Sequence, residues 1–99
     1  MEAYDKLREG QLVISKAGRD KGRFFLIYKV EDEQRVYMVD GKLRTLDRPK
    51  LKKVKHLAFT NTRMEGFERG LKEEALSDKD IREYIKAYKQ KADGRFEDV

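Results

Sequence analysis

The sequence predicts a mainly β domain of five short strands, a small barrel or curled antiparallel sheet, followed by a C-terminal α-helix. Three observations carry that expectation. Residues 10–59 hold short runs of β-branched and aromatic residues separated by turn-forming Gly and Asp. One run, Phe24–Val30 (FFLIYKV), is apolar at nearly every position, as a bent strand covered on both faces requires. Beyond Ser77 the period changes. Ile81, Tyr84, Ile85 and Tyr88 recur at i, i+3, i+4 and i+7, one apolar stripe of a helix.

The first strand is read at Gly10–Lys16 (GQLVISK), and Ala17–Arg23 (AGRDKGR) is a glycine-punctuated cationic loop. Phe24–Val30 is the second strand. Glu31–Gln34 (EDEQ) is a polar turn that joins it in a hairpin to a third, Val36–Asp40. Asp40-Gly41 is a hairpin signal, because Gly tolerates the positive φ of a tight turn, and it leads to a strand near Lys42–Leu46. Pro49 breaks that strand or marks an edge. A fifth strand is expected near Val54–Phe59, although Leu51, Val54 and Leu57 also recur every three residues. Residues 1–60 thus form the β domain, and 61–76, charged and with two glycines, a linker or weak helix. The C-terminal helix is expected over 77–93. Ser77 caps the N–H of Asp80, Asp80 returns the bond, and Gly94 is the stop. Its apolar stripe is expected to pack on the β domain; the alternative is a docking face for another protein.

Of 99 residues, 43% are charged and 38% hydrophobic, so the core is small. The absence of Cys excludes disulfides and thiolate metal sites and fits the reducing cytoplasm. No run approaches the roughly 20 apolar residues of a membrane helix, and the N-terminal stretch MEAYDKLREG has no apolar segment of a secretory signal. The net charge of +5 is uneven. Residues 1–56 hold 15 Lys/Arg and 9 Asp/Glu, whereas residues 57–99 hold 9 and 10. Within Gly41–His56 seven Lys/Arg face the single Asp47. Strands carrying two cationic segments offer a surface for a polyanion, RNA above other partners.

Two groups of residues are candidates for that surface. In the first loop Lys16, Arg19, Lys21 and Arg23 alternate with small residues, so a hairpin there projects several cations into one volume. Arg19 leads, since its planar fork grips a phosphate bidentately or stacks on a base; a salt bridge to Asp20 or Asp40 is the structural alternative. Backbone N–H groups at Gly18 and Gly22 can add anion contacts in a nest-like turn. The second group is Arg44, Arg48, Lys50, Lys52, Lys53, Lys55 and His56. Strand alternation puts Arg48, Lys50 and Lys52 on one parity and Lys53 and Lys55 on the other, so one set is expected to bind and the other to be solvated. His56, the one histidine, has no evident nucleophile partner and serves as a stacking or phosphate contact or as a packed or surface side chain.

These residues resemble a known family. Ser15-Lys16 with Ala17–Arg23 and the apolar run behind them resemble a KOW motif. Asp40-Gly41-Lys42-Leu43-Arg44 and Pro49-Lys50 through Lys55-His56-Leu57 sharpen the likeness to bacterial KOW-domain RNA-binding proteins. Those are similar to KOW-containing large-subunit ribosomal proteins of archaea and eukaryotes. The resemblance covers residues 8–60. It implies an SH3-like β-barrel that binds structured RNA, above all ribosomal RNA, in translation or ribosome assembly. It further implies a cytoplasmic, ribosome-associated protein with ribosomal proteins as neighbours. The family glycine after the basic loop corresponds to Gly22, where the chain turns tightly or approaches closely; Gly18 and Gly41 complete the turn glycines.

No GxSxG elbow, HExxH pair or phosphate-hydrolysing loop is present in the sequence. The expectation is a non-enzyme without cofactor, metal, small-molecule substrate or membrane. Most aromatics of the β half are expected in the core, and no aromatic pattern of an RNA-recognition motif appears, so shape and phosphate recognition is expected. Two other readings compete: a protein-interaction module of SH3-like type, and a transcription-elongation-type KOW module. The helix, near balance in charge, is a poor reader of a DNA groove.

Overall fold

In the computed structural model residues 7–97 are described, with side chains through Lys91. The N-terminal residues 1–6, read above as lacking an apolar segment, lie outside the described residues, as does the Phe96 side chain. Five strands, β1 (Gln11–Ser15), β2 (Phe24–Val30), β3 (Arg35–Val39), β4 (Lys50–Lys53) and β5 (Leu57–Arg63), precede helices α1 (Phe67–Lys72) and α2 (Asp78–Glu97). The strands form one antiparallel sheet in the order β4-β3-β2-β1-β5.

The apolar run of β2 explains why two cores form. Leu26 faces one side with Leu12 of β1 and Val39 of β3, and Phe24 and Tyr28 pack beside it. There they meet Phe67 of α1 and Ile81 and Ile85 of α2. Phe25 and Ile27 face the other side with Val13, Val36, Met38 and Leu57. A register shift between Ile27 and Lys29 inserts one extra residue into β2. The shift breaks the strict alternation, so Tyr28 packs in the first cluster and Val30 in the second. Val54, next to one end of the sheet order, and Leu57, at the other, share the second cluster. The sheet therefore curls around its own side chains. Its edge strands β4 and β5 are not hydrogen-bonded to each other among the described residues, so the sheet is curled and not closed into a barrel.

Several sequence expectations are corrected. No strand forms at Lys42–Leu46. The Asp40 carboxylate accepts the backbone N–H groups of Lys42 and Arg44 at 2.9 and 2.8 Å, while Asp40 N and Gly41 N both donate to Arg44 O. These bonds close a compact turn in place of a hairpin. The fourth strand begins only after Pro49, on the sheet edge, where its missing N–H is tolerated. The fifth starts at Leu57, because Val54–His56 is a single 3-10 turn, which accounts for the three-residue spacing of Leu51, Val54 and Leu57. Residues 61–76, expected as a linker or weak helix, hold the end of β5 at Arg63 and the short helix α1, and Met64, Phe67, Leu71 and Leu76 join the first core cluster.

The helix reading is close. Ser77 Oγ accepts the Asp80 N–H at 3.2 Å, and Asp80 accepts the Ser77 N–H at 3.0 Å, the reciprocal pair expected. The Ser77 backbone and hydroxyl bonds hold the Asp80 carboxyl below its ordinary range. The stripe packs on the sheet, with Ile81 and Ile85 buried and Tyr84 and Tyr88 half-buried. Gly94 does not end α2, which continues to Glu97; a glycine without a left-handed turn weakens a helix by only about 1 kcal/mol.

Candidate nucleic-acid interface

The β1–β2 loop is held by a carboxylate and not by its cations. Asp20, 8% exposed, accepts a hydrogen bond from Ser15 Oγ at 2.6 Å and one from Lys52 Nζ at 3.0 Å, both on Oδ1. Lys50 Nζ donates to its Oδ2 at 3.2 Å, and Lys52 Nζ also donates to Ala17 O at 2.9 Å. Burial by itself raises the Asp20 pKa, but the bonds from Ser15, Lys52 and Lys50 outweigh it and hold the carboxyl well below the usual carboxylate range. Asp20 is therefore ionised throughout the neutral range, and β4 is pinned to the loop.

This arrangement sorts the predicted cations. Lys52 is 8% exposed and Lys50 half-buried, so both turn inward and serve the loop's structure. Strand alternation does divide β4, with Lys53 on the exposed side, but the Lys50 and Lys52 set is neither solvated nor free: it is paired with Asp20. The alternation does not reach Arg48, which lies in the preceding loop, nor Lys55, which lies in the 3-10 turn. Lys16, Arg19, Lys21 and Arg23 are all exposed, as are Arg44, Arg48, Lys53 and Lys55. Arg19 makes no ion pair among the described residues; Asp20 is taken by the lysines and Asp40 by its own turn. His56 is half-buried, and its carbonyl accepts the Lys16 N–H at 2.8 Å. The first loop, β4 and the turn at 54–56 are thereby brought together, although more than 30 residues of chain separate Asp20 from Lys52.

The glycines have distinct roles. Gly22 has φ +86° with open space around its Cα, so it serves the turn and no close approach; its N–H donates to Ser15 O at 2.8 Å and does not point to a nest. Gly18 likewise has positive φ, and an added Cβ would lie 3.5 Å from Lys52 Nζ. Gly41 combines φ +76° with close approach: a Cβ there would run into the Asp78 carbonyl at the start of α2.

Sequence reasoning missed one part of the cationic surface. A groove of about 530 Å³ lies between α2 and the sheet, lined among others by Arg23, Phe24, Lys42, Arg82, Lys86 and Lys89. The signal was present as the 82, 86, 89 spacing on one helical face. It was hidden because the helix as a whole is nearly neutral.

No helix among the described residues is long and apolar enough to cross a membrane. No protein-family model matches the chain, and no curated protein matches it.

Proposed function

We propose that this chain is a non-catalytic RNA-binding protein of the KOW type, with an SH3-like barrel that holds structured ribosomal RNA in translation or ribosome assembly, in the cytoplasm. The observation that carries the reading is the convergence of two cationic segments distant in sequence. The Asp20 clamp joins the 17–23 loop to β4; Arg19, Lys21 and Arg23 are exposed on that loop, and Lys55 is exposed in the turn after β4, whose His56 carbonyl accepts the Lys16 N–H. With Lys50 and Lys52 used internally, Arg19, Lys21, Arg23 and Lys55 have no carboxylate partner among the described residues, an arrangement suited to phosphates. The SH3-like reading is that of an open barrel, and it is supported by a curled five-stranded sheet whose two ends share one core without pairing to each other among the described residues. A protein-interaction role through the helix stripe is disfavoured, since Ile81 and Ile85 are buried against Leu12, Leu26 and Val39.

The test is a comparison of charge-matched variants on a folded ribosomal RNA fragment. Removing two phosphate contacts with R19Q/K21Q should weaken binding roughly tenfold or more near physiological salt without altering thermal unfolding. K29Q/K72Q, which removes the same charge from exposed positions elsewhere, should have little effect. Equal losses from both pairs would contradict a site on the loop face.

A further inference from the structure

We infer that the groove between α2 and the sheet is a second phosphate site, and that it takes the backbone of the same RNA strand held by the β1–β2 loop. The inference rests on the RNA-binding reading above and extends it to the helix. Arg23 and Lys42 on the sheet side face Arg82, Lys86 and Lys89 on the helix side. Asp40 is the one acidic residue among the groove's described lining, and its carboxylate already accepts the N–H groups of Lys42 and Arg44. None of the five cations makes an ion pair among the described residues.

Two of the side chains, Arg82 and Lys89, are placed by something other than a counter-charge. Arg82 Nη1 donates to Gly41 O at 2.6 Å, which fixes its guanidinium to the wall and leaves its other N–H groups for a ligand. Lys89 Nζ lies 5.7 Å from the centre of the Phe24 ring, on which Tyr88 also packs. Like charges gathered in one groove repel, and a polyanion relieves that repulsion.

Two features favour a strand over a small anion. Positions 82 to 89 span about 10 Å along the helix axis, more than one phosphate group occupies. Arg23 belongs both to the first loop and to the groove wall, so the two cationic surfaces are continuous.

The experiment measures affinity for a folded ribosomal RNA fragment as a function of salt, using the full chain. K86Q/K89Q is compared with R19Q/K21Q and with the control K29Q/K72Q; each pair removes two positive charges. Gln keeps the helix propensity of Lys, and thermal unfolding checks each variant. The expected result is a log–log salt slope shallower by about 1.5 for K86Q/K89Q, at about 0.7–0.9 per lost contact, with the control unchanged. If K86Q/K89Q matches the control while R19Q/K21Q loses affinity, the groove is not in the interface and the RNA-binding reading survives without it. If the unaltered chain does not bind the RNA at all, that reading fails and the groove proposal with it.

Discussion

Asp20 ties the first loop to β4, and its removal tests that tie directly. In D20N the Lys52 ammonium remains 8% exposed with no carboxylate, and breaking a buried pair in this way costs about 3 kcal/mol. Urea unfolding should register the loss, and D20N/K52M should recover most of it. The pH dependence has a definite sign. The folded-state pKa of Asp20 lies below the ordinary value of 3.8, so its stabilisation is complete above that value and is lost as the pH falls through the folded-state value. The stability gap between the unaltered chain and D20N should therefore be full at pH 7 and smaller at about pH 2.5; an equal gap at both would contradict the clamp. Two glycines make a second contrast. G22A meets only the positive φ, about 1–2 kcal/mol. G41A adds a collision with the Asp78 carbonyl and should lower the melting temperature distinctly more. Equal shifts would mean that α2 does not dock closely at Gly41.

Among the elements, α2 depends on its cap and on its apolar stripe. S77A removes the hydroxyl that accepts the Asp80 N–H and should cost about 1 kcal/mol in chemical denaturation. I81A truncates a fully buried side chain in the first core cluster and should cost about 2–5 kcal/mol. If the stripe were a docking face for another protein, I81A would cost little in the isolated chain. The elements most legible in the sequence were those fixed by local signals: β2, bounded by Arg23 and Glu31, and α2, announced by Ser77 and its period. The absence of a strand at Lys42–Leu46 is not legible locally, because the same Asp40-Gly41 pair that starts hairpins also closes a side-chain-capped turn. The chain after the turn is also held from afar: Leu46 N donates to Asp78 Oδ1 at 2.8 Å, a bond between residues 32 positions apart. No local pattern carries that information.

At the scale of the whole molecule, the sequence located the excess positive charge but not its division of labour. Lys50 and Lys52 look like neighbours of Lys53 in the chain, yet they neutralise Asp20, whereas Lys53 faces solvent. The distinction depends on folding the first loop against β4. Charge summed along the chain hides the helix lysines, whereas the three-dimensional arrangement sets Lys86 and Lys89 beside Arg23. The resulting cationic surface runs from the first loop toward α2. The most direct measurement is the salt dependence of binding to a folded ribosomal RNA fragment, with double-stranded DNA as competitor. Four to six phosphate contacts give a log–log slope of about −3 to −5, and the folded RNA should be retained against the DNA. Absence of binding at physiological salt, or equal displacement by DNA, would contradict a structured-RNA interface on this face.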